Sequence, residues 1–317
     1  MKILGTGSAR PSKVLTNDML SEMVDTSDEW IRSRTGIQSR YIVSEDESTL
    51  SLAYEAANRA LEASGVDRER IGVVVCATVT TEMHCPSVAC GLQRDLGLRS
   101  NILAFDLNAA CTGFIYGLIT AANLLDEDSY ALVVGTEALS RYLDFTDRNT
   151  CVLFGDGAGA AVISASSVKP AADVAANTPA NPAPFYWVAE ASGNYEILNI
   201  KKHVRMDGRA VFKFAVETLI KSVQEVLEKA GVAVNDVDLF VCHQANERII
   251  ASAAKRLDVP IERFFMNLSK YGNTSAASIP IALDEAVRGG ALSPGDTVVL
   301  AGFGGGLTAG AICLTWN

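Results

Sequence analysis

Three residues in this sequence have types and settings that could do covalent chemistry. Cys111 stands in "DLNAACTGFIYGL" (106–118), between an apolar run and a small-residue segment of helical period. A cysteine in the first turn of a helix faces unpaired N–H groups and the positive end of the helix dipole, which favour thiolate over thiol. Cysteine also packs as a small hydrophobe, so this stretch alone leaves a catalytic and a structural reading open. His243, one of three histidines, ends the apolar run of "LFVCHQANERII" (239–250) at the mouth of the next helix. Strand ends in α/β sheets are where ligands bind, although backbone contacts could equally satisfy a histidine there. Asn273 in "SKYGNTSAAS" either caps the helix that follows or offers its amide as a donor. A thiolate, an imidazole and an amide make a workable set for acyl transfer. The glycines of "GFGGGLTAG" (302–310) could bring bare backbone N–H groups against a developing oxyanion.

The elements that must position these residues are legible as alternating patterns. "IGVVVCATV" (71–79), "YALVVGTEAL" (130–139), "VDLFVCHQ" (237–244) and "TVVLAGFGGG" (297–306) are short, apolar, mostly Val-rich runs that read as buried strands. Segments of helical period lie between them at 48–64, 88–96, 113–125, 210–230, 245–257 and 275–288. Strands alternating with helices predict a mostly parallel sheet covered on both faces. The pattern also repeats. "DRERIGVVVCAT", a helix, "ILAFDLNAACTGF", a helix and "YALVVGTEAL" correspond to "VNDVDLFVCHQ", a helix, "FFMNLSKYGNTSAAS", a helix and "TVVLAGFGGG". Cys111 and Asn273 then occupy corresponding strand-to-helix junctions, which a pseudo-twofold axis would bring into one pocket.

This divides the chain into an N-terminal half (1–167) carrying Cys111, a linker, and a C-terminal half (185–317) carrying His243 and Asn273. The linker, "VKPAADVAANTPANPAP" (168–184), is Ala/Pro-rich and reads as a surface loop. "GTGSAR" (5–10) lacks the third glycine of a dinucleotide fingerprint and is expected to be a turn after a first strand. "FGDGAGAAV" (154–162) lacks the Lys-Ser/Thr of a phosphate loop, and its small residues suit close packing.

Bulk properties narrow the function. With 317 residues, 49% of them hydrophobic, the chain can bury a large core. Its formal net charge of −10 argues against a general nucleic-acid or membrane-surface binder. Seven scattered cysteines without CxxC pairs indicate neither a disulfide framework nor a zinc site. No signal-peptide-like or membrane-spanning run is visible, so a soluble cytoplasmic protein is expected. "KKHVRMDGRAVFK" (201–213) is a basic exception, suited to an acidic partner or a nucleotide phosphate.

Taken together, "GTGSARP", "MVDTSDEWIRSRTGI", "AACTGF", "FGDGAGAAV", "HQANERII", "YGNTSAASIP" and "GFGGGLTAG" resemble the β-ketoacyl-acyl-carrier-protein synthase III family of condensing enzymes. These motifs occur in the family's order from the N-terminus to the C-terminus. The resemblance implies a thiolase-like five-layered α/β/α/β/α fold built from two similar halves, usually as a homodimer. It implies that Cys111 is the nucleophile, completed by His243 and Asn273, with backbone N–H groups of Cys111 and Gly305 as oxyanion hole. Trp30, Arg34 and Arg148 would hold the adenine end of coenzyme A, and Asn246 its pantetheine arm. Lys213 and Arg248 would face the acidic carrier protein. Cys85 stands where many relatives carry Phe or Thr and would shape the acyl pocket across the dimer. The substrates implied are an acyl-CoA and malonyl-acyl carrier protein, without a metal or redox cofactor.

Three rival readings compete with this one. A papain-like Cys-His-Asn hydrolase lacks its "CGSCW"-like segment here and does not fit the repeated halves. A superfamily relative of polyketide or secondary metabolism, passing the acyl group to another acceptor, fits the same motifs. A non-catalytic acyl-binding subunit has no need to retain Cys111, His243 and Asn273 together.

Overall fold

The computed structural model describes residues 1–126, 129–165 and 185–316; the 168–184 loop expected from the sequence lies outside the described residues. The first half opens with strand β1 (Lys2–Ala9). A small annex follows, in which β2 (Lys13–Thr16) pairs antiparallel with β3 (Ser39–Ile42) around helices α1 (Asn17–Ser21) and α2 (Asp28–Thr35). Then come α3 (Thr49–Ser64), β4 (Ile71–Ala77), α4 (Val88–Asp95), β5 (Leu103–Leu107) and α5 (Gly113–Leu124). β6 (Tyr130–Glu137) and β7 (Gly157–Ser164) close this half.

The second half repeats the plan. β8 (Tyr186–Asn194) is followed by a ribbon of β9 (Leu198–Ile200) and β10 (Val204–Met206). α6 (Gly208–Ala230), β11 (Leu239–Cys242), α7 (Glu247–Leu257) and the short α8 (Leu268–Tyr271) lead to α9 (Ser278–Arg288). β12 (Thr297–Gly304) and β13 (Gly306–Thr315) finish the chain.

The two sheets have the same strand order, β1-β7-β6-β4-β5 and β8-β13-β12-β11. An isolated parallel bridge between Phe240 and Phe264 stands in the second sheet where β5 stands in the first. Both sheets are mixed, which corrects the mostly parallel sheet expected. β4 runs parallel to β5 and β6, and β11 to β12, but β7 and β13 run antiparallel to both neighbours. β7 is the glycine- and alanine-rich "GAGAAVIS", whose small side chains hid a fully buried strand from pattern reading. "GTGSA" likewise lies inside β1 rather than in a turn after it. A Cβ at Gly5 or Gly7 would come within 2.4 Å of α3 backbone, so these glycines let strand and helix touch.

Five layers result. α3 and α4 cover the outer face of the first sheet, around Leu52, Leu61 and Leu92. α6 and α7 cover the outer face of the second, around Leu219, Val223 and Ile250. α5 and α9 lie between the sheets, where Phe114, Leu118, Ile279 and Leu283 pack against Val75, Val133, Val241 and Leu300. α5 reads "GFIYGLITAANL", largely apolar around its circumference, as a helix between two sheets must be. α3 and α6 start on Ser48 and Asp207 caps and end on left-handed Gly65 and Gly231. The central helices α5 and α9 start without any side-chain cap, and their N-terminal junctions are where the candidate chemistry sits. Among the described residues no helix is long and apolar enough to cross a membrane.

Candidate active site

Cys111 lies in a single 3₁₀ turn, Ala110–Thr112, between β5 and α5, and is 7% exposed. The chain turns sharply there: Ala110 has φ +46°, and its N–H is accepted by the Asn108 side chain at 3.4 Å. The backbone N–H groups of Cys111 and Gly305 and the Ser275 side chain act to lower the pKa of this thiol. Burial nonetheless pushes the thiol up to about 12, and the nearby Glu137 acts in the same direction. Burial therefore works against the thiolate that the N–H groups at the helix start favour. Gly304 is the close support beneath it, because a Cβ there would sit 2.8 Å from the Cys111 nitrogen and 3.0 Å from its Cβ. Gly304→Ala is expected to displace the turn and lower turnover about 100-fold, the loss typical of one oxyanion donor. Steady-state kinetics on variant protein with unchanged far-UV circular dichroism checks this.

The second half presents a matching turn. Ser275–Ala277 forms a 3₁₀ turn before α9, and Ser275 has φ +48°. Asn273 Oδ1 accepts the Ser275 N–H at 2.8 Å, as Asn108 does for Ala110. Residue by residue, therefore, Asn273 corresponds to Asn108 and Cys111 to Ala276. Asn273 caps this turn and not α9 itself. Its backbone is fixed by bonds from its N–H to Leu153 O (2.8 Å) and from Gly155 N–H to its carbonyl (3.0 Å). With Oδ1 occupied, the Nδ2 amide remains as a donor.

His243 follows β11, its N–H donated to Ala301 O at 2.8 Å in continuation of the parallel ladder. Its Nδ1 lies 2.6 Å from Ser278 Oγ, and its ring meets Phe303 edge-on at 5.1 Å between centroids. Burial holds its pKa down at about 3, so the imidazole is neutral at physiological pH.

Two cavities meet at Cys111. The first, about 80 Å³, is lined by Cys111, His243, Asn273, Phe303, Phe212 and Asn246 among others. The second, a more open cleft of about 720 Å³, runs along Val79, Leu139, Phe154, Leu198 and Gly305. Cys111 thus lines both an apolar tunnel and a second chamber.

The residues expected to hold coenzyme A fall into connected groups. Trp30 lies between two guanidinium groups, Arg34 at 4.8 Å and Arg148 at 5.0 Å from the ring centroid. Asn246 caps α7 through its Oδ1, lines the first cavity, and donates Nδ2–H to the Arg34 carbonyl at 3.0 Å. It therefore ties the Trp30 helix to the tunnel. Arg248 is exposed over the ring of Phe212, a tunnel residue, and Lys213 is the exposed neighbour of Phe212 on α6. Lys201, Lys202, Arg205 and Arg209 are exposed as well, so the basic stretch read from the sequence is a surface. Cys85 is exposed and lines neither cavity of its own chain, whereas Met83, His84 and Ser87 line the second.

Sequence reading missed Ser275, Ser278 and Glu137. Glu137 is fully buried at the end of β6, where Oε2 accepts from Thr80 Oγ1 (2.6 Å), Val79 N (3.2 Å) and Thr78 Oγ1 (3.3 Å). Its Oε1 has no hydrogen-bond partner, and burial raises its pKa from 4.5 to about 7. The unfolded chain releases that proton near pH 4.5 and the folded chain near pH 7, so this group loses stability for the fold as pH rises through that window. The loss is on the order of 3 kcal/mol by pH 7. Glu137→Gln is therefore expected to gain stability relative to the parent protein increasingly between pH 4.5 and 7, measured by urea unfolding.

Comparison with known proteins agrees in every region. A family profile described as 3-oxoacyl-[acyl-carrier-protein] synthase III matches residues 105–180, and its C-terminal counterpart matches 227–316. The chain is 47% identical over 317 residues to beta-ketoacyl-[acyl-carrier-protein] synthase III of Geobacillus kaustophilus, covering 99% of this chain and 98% of the relative. It is 45% identical to the protein of that name from Clostridium acetobutylicum, covering 100% and 99%. Among solved structures, 3-oxoacyl-[acyl-carrier-protein] synthase III of Aquifex aeolicus superposes with a TM-score of 0.91 at 43% identity, covering 99% of each chain. The priming β-ketosynthase of the R1128 polyketide pathway superposes at 0.89 with 35% identity, covering 99% of this chain and 96% of that one.

Proposed function

The chain belongs to the 3-oxoacyl-[acyl-carrier-protein] synthase III family, and from that membership we propose how its residues carry out the reaction. It is a condensing acyltransferase of the β-ketoacyl-acyl-carrier-protein synthase III type, acting at the initiation of fatty-acid synthesis. The higher identity to the synthases than to the polyketide enzyme favours this over a role in secondary metabolism.

In the first half-reaction the Cys111 sulfur attacks the carbonyl of an acyl-CoA thioester held in the tunnel. The new S–C bond forms, the bond to the coenzyme A sulfur breaks, and the thiol proton leaves with coenzyme A. The N–H groups of Cys111 and Gly305 bear the tetrahedral oxyanion. Trp30, Arg34 and Arg148 bind the nucleotide end and Asn246 the pantetheine arm, while Lys213 and Arg248 receive the acidic carrier protein.

In the second half-reaction malonyl carrier protein enters the tunnel and loses CO2. The electrons of the broken C–C bond move into the thioester, whose oxygen takes hydrogen bonds from His243 Nε2 and Asn273 Nδ2. The enolate carbon then attacks the acyl group, the C–S bond to Cys111 breaks, and the sulfur takes up a proton from solvent. A neutral imidazole suits this donor role, and the scheme requires no metal or redox cofactor.

The observation that carries this reading is that Cys111 lines two cavities at once, with His243 and Asn273 beside it on the wall of the first. Formation of β-ketoacyl carrier protein from an acyl-CoA and malonyl carrier protein tests it. An acyl adduct that is not elongated by malonyl carrier protein would contradict it.

Three further expectations belong here. β5 is the outer strand of its sheet, with Leu103 52% exposed and Phe105 and Leu107 partly so, which supports pairing with a second copy as a homodimer. Such a dimer would bring Cys85 toward the partner's acyl chamber, where its smaller side chain admits longer or branched starters than Phe would. The substrates, the acidic charge and the lack of a spanning helix among the described residues support a cytoplasmic enzyme with no nucleic-acid partner.

A further inference from the structure

We propose that Ser278 is a positioning residue that fixes the tautomer of His243, keeping the proton on Nε2 for the decarboxylation step. Ser278 is the first residue of α9 and is 2% exposed; His243 is 1% exposed. Among the described residues the Ser278 hydroxyl meets two groups, His243 Nδ1 at 2.6 Å and the backbone N–H of Gln244 at 3.4 Å. The Gln244 N–H can only donate, so it occupies a lone pair on Oγ. The hydroxyl proton then has a single acceptor, Nδ1. Were Nδ1 to carry the hydrogen instead, the serine proton would be stranded in a buried site with nothing to accept it, which is unfavourable. Nδ1 is therefore the acceptor, and Nε2 bears the N–H.

The same logic holds Asn273 in place. Its Oδ1 is occupied by the Ser275 N–H, which leaves Nδ2 as donor. The turn and the helix start that follow Asn273, which correspond to the Cys111 turn in the first half, thus supply both settings: Ser275 orients the amide and Ser278 the imidazole. Phe303, packed edge-on, fixes the plane of the ring. This inference rests on the condensing mechanism above, but it concerns a hydroxyl that never touches substrate.

The chain has only three histidines, so ¹⁵N-histidine labelling of the whole protein resolves the site, with His84→Gln and His203→Gln variants assigning the other two. The expected spectrum of the unmodified protein has a pyridine-type Nδ1 and a pyrrole-type Nε2 for His243. Ser278→Ala is expected to give a mixture of tautomers. Its condensation step should slow roughly 10- to 100-fold more than its priming by acyl-CoA, read as the acyl mass adduct. Ser278→Thr, which keeps the hydroxyl, should recover most of both. A pyrrole-type Nδ1 in the unmodified protein would overturn the proposal. So would Ser278→Ala with an unchanged tautomer and an unchanged ratio of condensation to priming. If Ser278→Ala does not fold, the parent spectrum and Ser278→Thr still decide. A protein with the expected spectrum that makes no β-ketoacyl product would instead defeat the functional reading and leave the tautomer assignment standing.

Discussion

Cys111→Ala abolishes condensation, lowering turnover by about 10⁴-fold or more, while the fold is retained. The magnitude follows from losing a covalent nucleophile for which nothing else in the cavity substitutes. His243 and Asn273 line the same cavity as the sulfur, but neither is an acyl carrier, and the Ser278 hydroxyl is committed to His243. Retention of the fold follows from the site. The sulfur sits at the junction of two cavities, so its removal enlarges existing space instead of opening a sealed void. Thermal unfolding within a few degrees of the parent protein, beside the kinetic loss, separates the chemical role from a packing role. A large fall in stability with substantial residual turnover would point the other way.

His243→Ala and Asn273→Ala each lower condensation by about 10²- to 10³-fold, and the double variant loses less than the product of the two. Each side chain offers one donor to the same enolate oxygen, and such a donor typically contributes that much. Residues that act on one oxygen are coupled, because when one is gone the charge is already poorly held and the second has less to stabilise. The losses fall on release of CO2 from malonyl carrier protein more than on formation of the acyl-enzyme. That split distinguishes donors to the enolate from a base for the thiol, since a base would slow priming first. The neutral, buried state of His243 argues for the donor role on independent grounds.

The parts of this site that were legible in the sequence share one physical origin. A buried strand running into a helix leaves a mark in hydrophobic pattern, and Cys111 and His243 stand at such marks, whereas Asn273 follows the short helix α8 and not the strand expected there. The repeat of the pattern corresponds to two sheets of matching strand order. What escaped reading depends on packing and not on period. β7 and β13 carry many glycines and alanines, which weaken the strand pattern, yet they are antiparallel strands inside their sheets, with Gly157 and Gly159 set against α9 and Gly310 against α5. Ser278 follows a turn in which a serine would be read as a cap, and nothing local says that its hydroxyl faces a histidine thirty-five residues back. The equivalence of Asn108 with Asn273 lies three residues from where the repeat was first aligned. It became visible only through the matched positive-φ residues Ala110 and Ser275. The burial of Cys111 escapes reading for a similar reason. Helix-start N–H groups are predictable from sequence, whereas the depth of burial that opposes them is not.

The most direct test of the account is intact-mass analysis of the enzyme after brief incubation with an acyl-CoA, followed by addition of malonyl carrier protein. The account predicts a single acyl mass on the protein, mapped by peptide digestion to residue 111. That mass should vanish on addition of malonyl carrier protein as β-ketoacyl carrier protein forms in equal amount. An adduct on any other residue, or one on Cys111 that persists while product accumulates, would contradict it.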